Sequence, residues 1–285
     1  MLLAKPDSPI NKLSLTVMRE INNLAQELGF SYFLCGAMAR DILLQHVHGI
    51  QTGRATVDVD FGVAVEDWAQ FEKIKISLTA TGRFDHDQKV AHRLYYRYNT
   101  NSQGYPVDLI PFGGVETTNH QIEWPPSMDE VMNVIAYQEV LANSVKIEVE
   151  KDLVISVISL PGLALLKLFA WADRGNSNSK DALDLAILLR TYYEADNQNR
   201  LFGEESKLFE EVGFDFDAAS PRLLGKDVRR LAYAETLKRA MAILNDERML
   251  DRLTTHMIPG HRRSDDAVAA VQRLLEQFKA GLSGS

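Results

Sequence analysis

Asp58 and Asp60, two residues apart, are the acidic pair of this chain that is best placed to do chemistry. Apolar residues alternate with them from position 57 to 63, which predicts a β-strand that carries both carboxylates on one face. At about 3.3 Å per residue, the two side chains start roughly 6.6 Å apart along such a strand. Two converging carboxylates repel each other unless a cation lies between them. The pair is therefore typical of a site for Mg²⁺, which binds oxygen ligands and often shares them with substrate phosphates.

A third acid, Asp108, lies in a second predicted strand, where Val107 and Leu109 flank it on the opposite face. If the two strands are neighbours, Asp108 lies beside the acidic pair. Three carboxylates could then bind two metal ions about 3.5–4 Å apart, or one ion with the third acid acting as a base. The alternative is that the pair consists of solvent-facing acids on an edge strand. The apolar opposite face of both strands favours a phosphoryl-transfer site.

Gly36 and Ala37 stand at a predicted strand-to-helix corner, upstream of the acidic pair. A corner without a side chain lets a phosphate approach the backbone N–H groups at the start of the following helix, where the helix dipole favours an anion. The alternative is that Gly36 supplies only the backbone freedom that the corner needs.

Composition narrows the class of protein. The chain has 285 residues, of which 46% are hydrophobic, so it is long enough for one large domain or two ordinary ones. Its net charge of −8 argues against broad binding to duplex nucleic acid, although a local basic patch could still hold one. The single cysteine, Cys35, excludes an internal disulfide framework and a thiolate zinc site. No apolar run is long enough to cross a bilayer, and the N-terminus lacks the apolar core of a signal peptide, so we expect a cytoplasmic protein without a membrane partner.

The elements that must position these acids change in character along the chain. Hydrophobic periodicity predicts helices over 14–28, 38–45 and 67–78, strands over 31–35, 57–65, 92–98 and 105–111, and a hairpin formed by 132–141 and 145–149. Farther on it predicts helices over 161–174, 180–193, 204–212 and most of 221–278. We therefore expect a catalytic domain over residues 1–157 and a helical C-terminal domain over 158–285.

Basic residues outside the acidic pair are more ambiguous. His92 and Arg93 are expected on an exposed strand edge, although they could reach a cleft. Four basic residues share one sector of a predicted helix and form either a solvated face, which we favour, or a nucleic-acid contact: Arg222, Lys226, Arg229 and Arg230.

The order of these motifs resembles the polymerase-β-type nucleotidyltransferase superfamily, and within it the AbiEii-like nucleotidyltransferases, toxins of type IV toxin–antitoxin systems. The front motifs that carry the likeness are Gly36-Ala37, Arg40-Asp41, Arg54-x-Thr56-x-Asp58-x-Asp60-Phe61 and Asp108. In the rear half, Lys167 with the seven residues after it and the segment Lys180-Asp181-x-x-Asp184-Leu185 resemble the helical lysine and KDxxDL signature of that family. One departure is Ala37, because the superfamily usually has Gly-Gly or Gly-Ser at this corner.

This resemblance implies a fold and a reaction. The fold is α+β, with a nucleotidyltransferase core built on a mixed β-sheet with flanking helices, followed by an all-helical C-terminal domain. The reaction moves a nucleoside monophosphate from an NTP to an acceptor hydroxyl, with Mg²⁺ or Mn²⁺ as the cation. Asp58, Asp60 and Asp108 are implied as catalytic and metal-binding residues, with Asp108 activating the acceptor hydroxyl. The implied nucleotide-binding residues are Gly36, Ala37, Arg40, Lys167, Lys180 and Asp184.

Several alternatives stay open. Lys167 can pair with Asp181 or Asp184 as an ion bridge between two helices, and Arg40-Asp41 can be a surface pair. The toxin resemblance implies an RNA acceptor, such as the 3′ end of a tRNA, and a cognate antitoxin protein. The same chemistry could act on a small molecule, as in aminoglycoside nucleotidyltransferases, and an acidic chain suits a cationic acceptor. A nucleotide-binding regulator without turnover is the third alternative, which the third acid disfavours.

Overall fold

The computed structural model describes residues 1–5, 8–53, 56, 58–99, 104–174 and 179–284. The chain divides into two compact units, Met1–Ser159 and Leu160–Ser285. The first unit carries the three aspartates of the predicted site, and the second carries the KDxxDL segment.

An eight-stranded mixed sheet forms the centre of the first unit in the part of the chain that the structure describes. Its strands, in chain order, are β1 (Leu2–Leu3), β2 (Tyr32–Cys35), β3 (Val59–Val65), β4 (Phe84–His86), β5 (Arg93–Tyr96), β6 (Tyr105–Gly113), β9 (Val145–Glu150) and β10 (Leu153–Val157). A small separate hairpin pairs β7 (Gln121–Glu123) with β8 (Val131–Asn133). Across the large sheet the order is β1-β9-β10-β2-β3-β6-β5-β4.

The pairing pattern places the acidic strands in the interior of the sheet. Strand β3 lies antiparallel to β2 and parallel to β6, and β6 lies antiparallel to β5. Strands β3 and β6 therefore have neighbours on both sides, which supplies hydrogen-bond partners for both of their backbone edges. Most residues of β3 and β6 are buried, because the sheet is covered on both faces.

Four helices accompany the sheet within the first unit: α1 (Lys12–Leu28), α2 (Gly36–Asp41), α3 (Trp68–Ala80) and α4 (Tyr137–Ala142). Helix α1 buries an apolar stripe and ends at Gly29, whose φ of 72° is the left-handed conformation expected of a C-terminal cap. Helix α2 passes directly into a π-helical turn at Ile42–His48. The predicted helices over 14–28, 38–45 and 67–78 therefore exist, with the middle one wound differently from a regular α-helix.

The predicted hairpin of 132–141 with 145–149 is wrong. Tyr137–Ala142 forms helix α4, and strand Val145–Glu150 pairs instead with Leu153–Val157. Packing explains the helix, because the Tyr137 ring lies 5.6 Å from that of Phe33 and 5.5 Å from that of Phe112. The tight connection between the two strands contains Asp152, whose φ of 63° is favourable for the acid in a turn.

The second unit is helical throughout the residues that the structure describes. Its helices are α5 (Leu160–Arg174), α6 (Lys180–Thr191), α7 (Gln198–Phe202), α8 (Ser206–Glu211), α9 (Phe216–Leu231), α10 (Ala234–Asn245), α11 (Glu247–His256) and α12 (Asp265–Ser283). Helices α9 and α12 approach closely at two glycines: a Cβ on Gly225 would lie 2.3 Å from the Phe278 carbonyl oxygen, and one on Gly281 2.1 Å from that of Arg222. Among the described helices, none is both long and apolar enough to span a membrane.

Candidate active site

One row of residues crosses four neighbouring strands. Asp60 on β3 lies opposite Asp108 on β6, Cys35 on β2 lies opposite Asp60, and Arg93 on β5 lies opposite Asp108. Residues that face each other across a ladder project to the same side of the sheet, with Cβ atoms about 4.5–5.5 Å apart. The two aspartates therefore share a face and are direct neighbours, as expected from the sequence if their strands are adjacent.

The Asp60 carboxylate occupies the space that a side chain at position 36 would fill. A Cβ at position 36 would lie 1.9 Å from Asp60 Oδ2 and 2.7 Å from its Cγ, so the carboxylate packs directly against the glycine backbone. Gly36 also has a φ of 69°, which residues with a side chain rarely adopt. The corner thus needs glycine both for its backbone conformation and for the approach of Asp60.

Asp58 lies just ahead of β3 and, like Asp60, is only half-buried. The charges of both carboxylates affect the pKa of the Tyr105 hydroxyl. Burial raises the pKa of Tyr105 most strongly, its hydrogen bond with Ser14 opposes this, and the charges of Asp58 and Asp60 raise the pKa further. Asp58 and Asp60 are therefore accessible to solvent, and both lie near enough to Tyr105 for their charges to reach the same hydroxyl. Accessible carboxylates that lie close together suit the binding of a cation.

Asp108 lies beside Asp60 and is also paired with a cation, which the sequence did not predict. Arg93 donates to it twice, from Nε to Oδ1 and from Nη2 to Oδ2, each at 2.7 Å. This two-point hydrogen bond raises the pKa of the Arg93 guanidinium above its usual range. His92 Nε2 lies 3.9 Å from Asp108 Oδ2, and burial lowers the pKa of His92 even though the Asp108 charge raises it. Since β5 lies between β4 and β6, the expectation of an exposed edge for these residues is wrong.

Arg40 and Asp41 form a buried network rather than a surface pair. Arg40 is 1% exposed and donates to Asp41 Oδ1 from Nε at 2.9 Å and from Nη2 at 2.6 Å. Asp41 also accepts from the hydroxyls of Thr52 and Thr56. Thr56 immediately precedes the acidic pair, so the network ties the entry of β3 to the end of helix α2. Arg54, which belongs to the same motif, lies outside the described residues.

The donor set suits a cation that shares its ligands with phosphate. Among the described residues, no group of three or more His, Cys, Asp or Glu side chains is arranged to hold a metal ion. Mg²⁺ does not need such a cage, because it is usually bound by one or two carboxylates and completed by water and substrate phosphates. Asp58 and Asp60, half-buried and accessible, fit this requirement. Asp108 fits it less well, because both of its oxygens already accept hydrogen bonds from Arg93.

In the helical unit, Lys167 pairs with the two aspartates of the KDxxDL segment. Lys167 on α5 donates to Asp181 Oδ1 at 2.9 Å and lies 2.7 Å from Asp184 Oδ2, both on α6. Burial alone would lower the pKa of Lys167, but the charges of Asp184 and Asp181 outweigh it and raise the pKa above its ordinary value. Burial likewise acts to raise the pKa of Asp181, and Lys167 and Arg174 reverse this and lower it. The ion bridge left open by the sequence therefore exists, whereas Lys180 is exposed at the start of α6.

The basic sector of α9 is largely neutralised by acids. Lys226 and Arg230 both pair with the buried Glu205, and Arg222 pairs with Glu211. Arg230 also lies 2.9 Å from Asp227. Cations that are already paired offer little to a phosphate backbone, which supports the solvated face over a nucleic-acid contact.

The family of the chain follows from comparison with known proteins. The family described as "Nucleotidyl transferase AbiEii toxin, Type IV TA system" matches residues 23–276. The chain belongs to the AbiEii nucleotidyltransferase family. It is therefore a nucleotidyltransferase, as the motif order predicts. No curated protein sequence matches it.

Solved structures give weaker likenesses. The antibiotic-resistance factor ANT(2'')-Ia is 13% identical, with 72% of this chain and 99% of that chain covered and a TM-score of 0.38. An antigenic nucleotidyltransferase-like protein from Paracoccidioides brasiliensis is 13% identical, with 74% and 94% covered and a TM-score of 0.39. A CCA-adding enzyme in complex with ATP is 16% identical, with 92% and 66% covered and a TM-score of 0.26. Likeness at these scores carries no information about the substrate of this AbiEii protein.

Gly36→Ala is expected to disable the site of the AbiEii protein. The new Cβ must displace the Asp60 carboxylate, and we expect nucleotidyl transfer to fall by about tenfold or more, since catalysis here depends on positioned charge. Gly29→Ala is the matched control, because Gly29 has a φ of 72° and nothing within 4 Å of an added Cβ. It carries the same backbone strain, on the order of 1 kcal/mol, without the collision. Equal transfer rates in the two variants would contradict the role assigned to Gly36.

Lys167→Met is expected to destabilise the helical unit by about 3–5 kcal/mol, because it takes Lys167 away from the buried Asp184 and leaves Asp181 with the exposed Arg174 as its cation. The deficit should shrink as the pH falls, since protonating the stranded carboxylates removes their charge. The wild-type protein, in contrast, should lose stability as the pH falls. The lowered pKa of Asp181 contributes stability above the unfolded value of about 3.9, which is lost as the pH falls through the folded value.

Denaturant unfolding at neutral and acidic pH measures both effects. Arg174→Gln is the control, since the Arg174 side chain is 62% exposed and pairs with the same Asp181. Its cost should stay below about 1 kcal/mol. A Lys167→Met deficit that is equally small, or that grows on acidification, would contradict the ion-network interpretation.

Proposed function

We propose that this AbiEii nucleotidyltransferase uses Mg²⁺ to transfer a nucleoside monophosphate from an NTP to a hydroxyl of an RNA, with the 3′ end of a tRNA as the first candidate. The observation that carries the proposal is the register that sets Asp60 opposite Asp108, with Asp60 packed on the Gly36 backbone. Convergent carboxylates beside a side-chain-free corner match the needs of a triphosphate with its counter-ion.

Asp58 and Asp60 are the residues that would hold the cation together with the triphosphate. The bound ion supplies charge neutralisation for the phosphates and lowers the cost of the developing negative charge. The chain itself positions the two carboxylates. Gly36 fixes the direction of Asp60, and the hydroxyl of Thr56, held by Asp41, fixes the segment that leads to Asp58.

The transfer step forms one P–O bond and breaks another. The acceptor hydroxyl oxygen attacks the α-phosphorus, the bond from that phosphorus to the bridging oxygen breaks, and pyrophosphate leaves with the electron pair. We assign the hydroxyl proton to Asp108, whose oxygens are shared with Arg93. Backbone N–H groups at Gly36 and Ala37 are assigned to the phosphates, and they persist although Ala37 lacks the hydroxyl that serine would supply.

The remaining nucleotide-binding residues are proposed from the family motif. Of the three in the helical unit, Lys180 is exposed and suits direct binding of a phosphate, whereas Lys167 and Asp184 are buried together and suit the positioning of α6. Arg40 is buried on Asp41, so we assign it to the support of the corner. We also propose a cognate antitoxin as partner and a cytoplasmic site of action, which the description of the family as a toxin of a type IV system supports.

A small-molecule acceptor is the second candidate. The net charge of −8 favours a cationic acceptor over a polyanion, and the basic sector of α9 is already paired. Labelled NTPs, Mg²⁺ and either bulk tRNA or an aminoglycoside distinguish the two: label on tRNA supports the proposal, and label on the aminoglycoside alone supports the second candidate. Clear NTP binding without transfer to any acceptor would favour a regulator.

Asp60→Asn is expected to lower transfer by about a hundredfold or more, because it removes a charge that must be in place in the transition state. The fold should persist, and the metal-free variant should unfold at an equal or higher temperature, since a repulsion between carboxylates is relieved. Asp85→Asn is the matched control, because Asp85 lies in the same sheet on β4 but pairs with Arg97 at the surface. Near-normal turnover of Asp60→Asn would show that the cation assignment is wrong.

A further inference from the structure

Arg93 is bound to Asp108, a carboxylate that the proposed reaction uses. Its guanidinium binds both oxygens of Asp108, and it lies opposite Asp108 in the sheet register, so the pair is set by the backbone as well as by charge. The two side chains differ in burial: that of Asp108 is 9% exposed and that of Arg93 is 30% exposed. The carboxylate is therefore fixed in the sheet, and the cation is the partner that has room to move.

Charge balance explains why a cation lies there. Asp60 and Asp108 are direct cross-strand neighbours, and like charges in such positions destabilise a sheet. Asp58 adds a third negative charge nearby. Arg93 supplies a positive charge to this row, through its ion pair with Asp108. A bidentate arginine is a strong way to neutralise a carboxylate. It takes one lone pair of each Asp108 oxygen and sets a positive charge beside the remaining lone pairs, which opposes the binding of a second cation there.

We propose that Arg93 stands in for the divalent cation in the empty enzyme and competes with it for Asp108. Binding of the cation draws an Asp108 oxygen away from Arg93, and the released guanidinium turns to a second set of partners. Arg93 is thus a positioning residue, which orients the Asp108 carboxylate and compensates its charge before substrate binds. This inference rests on the proposed function only in assuming that the aspartates bind a divalent cation.

Other polar groups lie near Arg93 on the same hairpin. The backbone N–H of Asp87 donates to the Arg93 carbonyl oxygen at 3.1 Å, and Tyr95 follows Arg93 by two residues on β5, on the same face. Hydrogen bonds from the backbone N–H groups of Lys89 and Val90 lower the pKa of Asp87 most, and Tyr95 and Arg93 lower it further. Asp87 is half-buried and held by backbone hydrogen bonds, so a guanidinium released from Asp108 has a second carboxylate nearby.

Thermal unfolding of the full chain with Mg²⁺ alone, in the absence of NTP and acceptor, tests the competition directly. Arg93→Gln should lower the unfolding temperature of the metal-free protein by about 2–4 °C. It should also bind Mg²⁺ about three- to tenfold more tightly, because the competing cation is gone. Arg97→Gln is the matched control: Arg97 also binds an aspartate, Asp85, through two nitrogens in the same hairpin, but away from the carboxylate row. The Arg97→Gln variant should bind Mg²⁺ with the same affinity as the wild type.

Further variants separate the competition from a purely structural role. Arg93→Lys keeps the charge but loses the two-point geometry, so its Mg²⁺ affinity should fall between those of the wild type and Arg93→Gln. Adding Asp108→Asn to Arg93→Gln should abolish the gain in affinity. In transfer assays Arg93→Gln should lower the Mg²⁺ concentration needed for half-maximal rate. Unchanged or weakened Mg²⁺ binding in Arg93→Gln would overturn the inference, and if that variant does not fold, Arg93→Lys decides in the same way.

Failure of this inference can be told from failure of the proposed function. If Mg²⁺ stabilises the wild type, Asp60→Asn abolishes that effect, and Arg93→Gln leaves the affinity unchanged, the cation site stands and the competition is wrong. If Mg²⁺ has no effect on the wild type that depends on Asp60, the cation assignment itself is wrong, and the inference falls with it.

Discussion

The repulsion between Asp60 and Asp108 is the constraint on which the first unit of this AbiEii nucleotidyltransferase depends. Adjacent parallel strands set the two carboxylates side by side, and an unrelieved pair of like charges in the interior of a sheet would be destabilising. The surrounding residues reduce this repulsion. Gly36 gives Asp60 room at a solvent-accessible corner, and Arg93 neutralises Asp108 from the other side. The features that make the row costly for folding are those that make it attractive to a cation.

Buried ion pairs also organise the family motifs on either side of the acids. Arg40 and Asp41 look from the sequence like a nucleotide contact, yet they fix the chain between α2 and β3. Lys167 likewise joins α5 to α6 through two carboxylates. Breaking such a pair costs far more than its formation contributes, because one partner is left buried with an uncompensated charge. A residue can therefore belong to a functional motif while its direct partners are other side chains of the same chain.

Sequence reasoning reached the acidic strands because their signals are local. Alternation around Asp60 and Asp108 gave both strands and the face of each carboxylate, and the motif order gave the family that the comparison confirms. It missed what depends on tertiary packing. Arg93 was expected on an exposed edge because no local pattern reveals that β4 adds outside β5. The hairpin expected near Tyr137 was wrong because contacts with Phe33 and Phe112, distant in sequence, favour a helix there. Nothing local showed that Gly36 touches Asp60.

The parallel pairing of β3 with β6 has a consequence for how the chain folds. Strands β4 and β5 lie between them in sequence, so a long loop must close before Asp60 meets Asp108. Closing such a loop is entropically slow, and here it ends with an encounter of two like charges. The antiparallel β5–β6 pair is more local, so we expect it to form first and to bring Arg93 to Asp108. A hairpin that forms early thus carries its own counter-charge to the strand that docks next, which makes the order of assembly part of what lets an acidic row exist inside a sheet.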